Sequence, residues 1–221
     1  MPIPETAHRI SADAYLFGLA PAYGRIARLE EPQAMYRVHD RNHYHRKPFK
    51  QRLRTGLGNR RQQWRVLEAY CRSLGVAADR SSWERNCYFH RVHASLGEIE
   101  RYVPAGEPFI LVDEDAWGSD DIISGRPRIP FMERDGWYNG RPEDDDAAIA
   151  ELERLRGHRG AAWLVLAWPA FWWLEHYAEF AAYLHASYAC VARTERLAVF
   201  DLHPRAGDGA SAGAPARGPH R

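Results

Sequence analysis

Cysteine is scarce in this chain of 221 residues: Cys71, Cys87 and Cys190 are odd in number and lack CxxC spacing, which argues against a disulfide framework and a cysteine zinc site. A reducing, cytoplasmic setting is therefore expected. Net charge is nearly absent, since 30 Lys+Arg against 29 Asp+Glu leave +1, and no field over the whole molecule draws it onto nucleic acid or anionic lipid. No apolar run reaches the roughly 18 residues of a membrane span. The longest, residues 161–174, is followed at once by Glu175 and His176. The opening MPIPETAHRI has no apolar h-region, so no signal peptide is expected. No GxGxxG follows Phe109, Ile110, Leu111 and Val112, and GxxxxGKS/T and GxSxG are absent. Dinucleotide-binding, P-loop and α/β-hydrolase readings therefore have no support.

What is present suits a globular protein: 45% hydrophobic and 12% aromatic residues are ample for a core. Asp13, Leu16, Leu19, Ala20 and Tyr23 have helical spacing between a Ser11 N-cap and Gly24. Residues 26–29 and 34–38 read as short strands around Glu30, Glu31 and Pro32. Residues 41–65 hold nine Lys or Arg and no acid, so they could touch phosphate or, more blandly, form a solvated helix face. Leu57, Trp64, Leu67, Cys71 and Leu74 predict a helix ending at Gly75, and Trp83, Cys87 and Leu96 a second ending near Gly97.

Beyond Pro104, Ala105 and Gly106 the texture changes. Phe109 to Val112 reads as a strand covered on both faces and ending in Asp113, Glu114 and Asp115. A helix with an acidic first turn is predicted over 144–156, a buried strand over 163–167, a helix over about 170–185, and a hairpin from 188–192 and 197–201. The expected class is α/β: residues 1–47 as one piece, 48–101 as a helical linker, 102–203 as a small Rossmann-like three-layer domain ending in a β-hairpin, and 204–221 as a disordered tail.

Two phrases carry chemistry. Ser11-Ala12-Asp13-Ala14-Tyr15-Leu16, followed by Met35-Tyr36-Arg37-Val38-His39-Asp40-Arg41-Asn42, resembles the end of the catalytic domain of bacterial family 2 glycosyltransferases. The resemblance covers about the first 45 residues and implies a remnant of that domain, with Asp40 departing where the family usually has glycine. It implies that Asp13 is the general base that deprotonates the acceptor, and that Arg37, His39 and Asn42 lie beside the donor diphosphate and its metal. The family's nucleotide-binding units and Asp-x-Asp motif lie upstream of this phrase. The chain is accordingly expected to be truncated and inactive by itself, needing a divalent metal and nucleotide sugar supplied with the missing half. Its expected partners are a catalytic glycosyltransferase chain or a glycan acceptor in polysaccharide or glycoconjugate synthesis, with peripheral membrane association as one setting. A helix-start carboxylate satisfied by backbone amides is the bland alternative for Asp13, and a solvated loop is that for His39, His43 and His45.

Residues 102–202, with Ile110-Leu111-Val112-Asp113-Glu114 and Phe171-Trp172-Trp173-Leu174, also resemble a tail domain of bacterial glycosyltransferases. In open parallel sheets ligands sit beyond the carboxyl ends of strands. Asp113, Glu114 and Asp115 at one such end and Trp168 at the next would make an acidic, aromatic crevice suited to sugar rings. Two readings stay open: a non-catalytic carbohydrate-binding or assembly module, and tryptophans that only fill the core. Nucleic-acid binding through 41–65 is the weakest alternative.

Overall fold

The computed structural model describes residues 48–118 and 122–204, together with positions 13, 16, 17, 20, 24–27, 29, 31 and 33. The chain divides into two units, Met1–Ala94 and Ser95–Arg221.

In the first unit Asp13, Leu16, Phe17 and Ala20 are helical, in line with the N-terminal helix. Ile26, Ala27 and Leu29 are not in a strand, which corrects the first expected strand; residues 34–38 of the second lie outside the described residues. An apolar run alone makes no strand, because extended backbone also needs a neighbour for its N–H and C=O groups. Helix α1, Phe49–Ser73, closes in a Schellman motif: Gly75 takes φ 68°, its N–H reaches Arg72 O at 3.1 Å, and Val76 N–H reaches Cys71 O at 2.9 Å. Asp79 caps α2, Arg80–Asn86, by accepting Ser82 N–H at 3.0 Å. The second expected helix is thus two. Cys87 turns extended after α2, and α3, Tyr88–Tyr102, runs beyond Gly97 because Ile99 and Val103 continue a buried stripe.

Three helices converge on Trp64 of α1, which is 7% exposed. His90 of α3 lies 4.8 Å from its ring, Trp83 of α2 6.5 Å away, and the Arg80 guanidinium stacks at 5.0 Å. Gly56 lets α1 approach α3, since a Cβ there would stand 2.5 Å from the Phe89 ring.

The second unit is built on a five-stranded sheet in the order β2-β1-β5-β7-β6, from β1 Phe109–Val112, β2 Arg128–Pro130, β5 Trp163–Ala167, β6 Ala189–Arg193 and β7 Leu197–Asp201. Strands β2, β1 and β5 are parallel, while β7 runs antiparallel to both β5 and β6, so the sheet is mixed. A separate hairpin of β3, Glu133–Arg134, and β4, Trp137–Tyr138, turns through Asp135 and Gly136, both at positive φ, as a two-residue type I′ turn requires. Strand β2 and this hairpin have no counterpart among the sequence expectations.

Helix α4, Asp145–His158, starts under Asp144, whose carboxylate accepts Ala147 N–H at 2.8 Å. Its Ala148, Leu152 and Leu155 join Ile110, Val112, Leu164, Leu166 and Phe200 in one core, with Phe180 and Leu184 from α6, Ala178–Ser187. Each of these side chains larger than alanine contributes roughly 1.5–3 kcal/mol. The opposite set, Phe109, Leu111, Val165 and Val199, is buried as well. On the α3 end, Glu98 accepts the Arg196 guanidinium and Thr194 hydroxyl of the β6–β7 turn, and Arg126 donates to Val103 O at 2.7 Å.

The helix expected over 170–185 is interrupted. A 3-10 turn, Trp168–Ala170, and the short α5, Trp173–His176, come before α6, with Tyr177 non-helical between them. Tyr177 donates its hydroxyl to Pro142 O at 2.8 Å, and Asp145 accepts Phe180 N–H at 2.8 Å as a cap delivered from α4. Tertiary partners thus satisfy the break.

Candidate functional site at the carboxyl edge of the parallel strands

Strands β1 and β5 are hydrogen-bonded neighbours with Val112 opposite Leu166, so the residues after them emerge side by side. Asp113, Glu114 and Asp115 leave β1 there, and Trp168 leaves β5. The three acids do different work. Asp113 is 2% exposed and turns inward, where it accepts the backbone N–H groups of Asp115 at 3.2 Å and Trp117 at 3.0 Å. Arg128 Nη1 of β2 stands 4.0 Å from it. Burial pushes the Asp113 carboxyl up to about 6, against the pull of Arg128 and the Trp117 N–H.

Glu114 and Asp115 both take left-handed backbone, at φ 55° and 56°. For residues with a Cβ this costs roughly 1–2 kcal/mol each. The loop is held by the Asp113 bonds and by Ala116 N–H on Asp113 O and Gly118 N–H on Asp115 O, each at 3.0 Å. Strain held this firmly at the end of a strand orients side chains.

Glu114 is turned to the rim and grips Arg141 in a fork, Nε to Oε1 at 2.9 Å and Nη2 to Oε2 at 3.0 Å. Trp173, fully buried, donates its indole N–H to the same carboxylate at 2.9 Å. Burial opposes ionisation of Glu114, but the bonds from Trp173 and Arg141 outweigh it and hold the carboxyl below its ordinary value. The Arg141 guanidinium, 57% exposed, lies 4.8 Å over the Trp172 ring. Tyr138 of β4 also belongs here: burial, then the charge of Glu114, raises its hydroxyl above its ordinary value.

Trp168 is half-buried with its ring 5.4 Å from that of Trp117, and Asp115 is exposed. The rim is therefore Asp115, Arg141 and two half-buried indoles, Trp168 and Trp172. Beneath it, Trp117 Nε1 and Arg128 Nη1 are buried without hydrogen-bond partners among the described residues, and both residues touch Asp113. The edge can offer aromatic planes, hydrogen-bond donors and the exposed Asp115 carboxylate to a polyhydroxylated ligand.

Sequence reasoning placed Asp113, Glu114, Asp115 and Trp168 together, and the sheet does bring them to one edge. It missed Arg141, Tyr138, Trp117 and Arg128, which reach the edge from loops and from β2; the only sequence signal for Arg141 was a basic residue between Gly140 and Pro142. Asp13 is helical and exposed, while Arg37, His39 and Asn42 lie outside the described residues. Among the described residues no group of three His, Cys, Asp or Glu is placed to bind a metal, and no helix is long and apolar enough to cross a membrane.

Compared with known proteins, the chain matches no family model, no curated protein and no solved structure.

Proposed function

We propose that this chain serves glycosyl transfer to a polysaccharide or glycoconjugate, and that its Ser95–Arg221 unit, a Rossmann-like module in this reading, recognises carbohydrate at the carboxyl edge of β1 and β5. The observation that carries the proposal is the rim itself: Arg141 is fixed by Glu114 and stacked on Trp172, with Asp115 and Trp168 adjacent in the fold. Sugar rings stack their C–H faces on indoles while their hydroxyls bond to carboxylate and guanidinium groups. In the same reading residues 1–47 are a remnant of a family 2 catalytic domain. Asp13 is then the acceptor's general base, and its exposure gives the access that role needs. Arg37, His39 and Asn42 are the donor-side residues.

A glycan array probed with the full chain tests the recognition step. Binding of a glycan that is lost in Trp168→Ala and Arg141→Ala, yet kept in Asp13→Ala, is the expected outcome, with thermal melts confirming that the variants fold. Absence of glycan binding, or binding indifferent to both rim substitutions, would remove the proposal. Incubation with sugar nucleotides, alone and with a catalytic glycosyltransferase chain, tests the transfer step.

A further inference from the structure

The first unit carries a groove of about 530 Å³ lined by Lys50, Leu53, Arg54, Leu57, Gly58 and Arg61 of α1 and by His93 of α3. These α1 residues recur at the three- and four-residue spacing of one helical face. Lys50, Arg54, Arg61 and His93 are exposed, and Leu53 and Leu57 are half-buried beneath them. Among the described residues no carboxylate lines the groove, and neither Arg54 nor Arg61 makes an ion pair. Elsewhere in the helices arginines do meet acids: Arg80 meets Glu68 at 2.8 Å, Arg154 meets Glu151 at 2.7 Å, and Arg156 meets Glu153 at 2.7 Å. Two arginines without an acidic partner on one concave surface are placed to meet an anion from outside.

Gly58 forms part of this floor. A Cβ built there meets nothing within 4 Å, although the position lies inside a 25-residue helix where glycine costs about 1 kcal/mol against alanine. Two residues earlier, Gly56 is required by Phe89, but no packing neighbour explains Gly58. The empty position keeps the space between Arg54 and Arg61 open.

We propose that this groove binds a diphosphate ester. Arg54 and Arg61 stand two turns apart, roughly 10 Å along the axis by the rise of an α-helix. Their flexible stems can close from both ends on two linked phosphoryl groups, with Lys50 and His93 as further donors, whereas a single phosphate meets one fork at a time. Leu53 and Leu57 give the ester's organic portion an apolar bed. Nucleic acid fits less well. Among the described lining residues only the His93 imidazole offers an aromatic platform for bases, and the chain's charge of +1 supplies no extended field. This inference stands apart from the carbohydrate edge and needs no glycan.

The test is calorimetric titration of the full chain with inorganic pyrophosphate, geranyl diphosphate, uridine diphosphate and a single-stranded oligonucleotide. Pyrophosphate and at least one ester should bind, and whichever ester binds more tightly identifies the source, isoprenoid or nucleotide. Arg54→Gln and Arg61→Gln should each weaken binding by about tenfold. Gly58→Leu adds bulk to the floor at a position whose Cβ meets nothing within 4 Å and favours the helix, so it should abolish binding while the melting temperature holds or rises. Failure of all three diphosphates to bind, affinity unchanged by Gly58→Leu, or binding of the oligonucleotide alone would overturn the proposal.

Discussion

In Ser95–Arg221 the interior is a sheet with apolar residues on both faces, and its polar groups are tied by tertiary bonds; in Met1–Ala94 the described interior is a meeting of helices around one indole. The polar contrast is as sharp. Glu133 and Glu151 of the second unit are buried, and Arg154 bridges them, donating to Glu133 Oε2 at 2.8 Å and Glu151 Oε2 at 2.7 Å. In the first unit, among the described residues, Arg54 and Arg61 of α1 make no ion pair, and burial lowers the His90 imidazole below its ordinary value. Large apolar side chains such as Leu16, Phe17, Leu74 and Val76 are also exposed there. A sheet buries apolar side chains on both of its faces, whereas helices that meet at one ring leave surface for something else to use.

The contrast can be broken most forcefully at Trp173, which touches the core, Phe131 and Tyr177 and also anchors Glu114. Trp173→Ala is expected to cost about 4 kcal/mol in urea unfolding followed by a probe in the second unit. A cost under about 1 kcal/mol would show that the unit does not depend on a packed interior.

Asp113 sharpens the comparison through pH. With its folded value near 6 and its ordinary value at 3.8, the folded chain holds more protons than the unfolded one between those limits. The neutral acid's contribution is therefore complete below about pH 4 and is lost as pH rises through 6. Asp113→Asn removes that slope, so stability of the variant relative to wild type should improve by on the order of 3 kcal/mol between pH 4 and pH 7. A difference that stays level across this range would mean that the fold tolerates the ionised carboxylate.

The smallest effects belong to two glycines of α1. Gly56→Ala should destabilise by about 1–3 kcal/mol, because the Phe89 ring must move from a Cβ placed at 2.5 Å. Gly58→Ala should stabilise by about 1 kcal/mol, because nothing opposes it. Thermal melts of the pair report both signs, and equal signs would mean that α1 and α3 do not approach here.

How much of this was legible follows the range of the forces involved. The unbroken apolar runs 109–112, 163–167 and 197–200 became β1, β5 and most of β7, since strands buried on both faces leave no alternation to misread. Acid at the start of α4 was equally readable, because capping acts over three residues. Strand β2 was not: Arg128, Ile129 and Pro130 are too short to show a period, and they are strand because β1 offers them a parallel edge. The break at Tyr177 was hidden for the same reason, its satisfaction coming from Pro142 and Asp145. Of the candidate edge, the acids and Trp168 could be named from strand ends, but Arg141 could not.

Periodicity and caps, acting locally, set most of the helices and the buried strands, and the order of residues put acids and an indole directly after two of those strands. Folding made those strands parallel neighbours, turned Asp113 inward and Glu114 to the rim, and set Arg54 and Arg61 beside an open floor. The reason is range: hydrophobic period and capping act within a few residues, whereas sheet order, burial of a charge and the emptiness of a groove depend on what distant parts of the chain bring alongside.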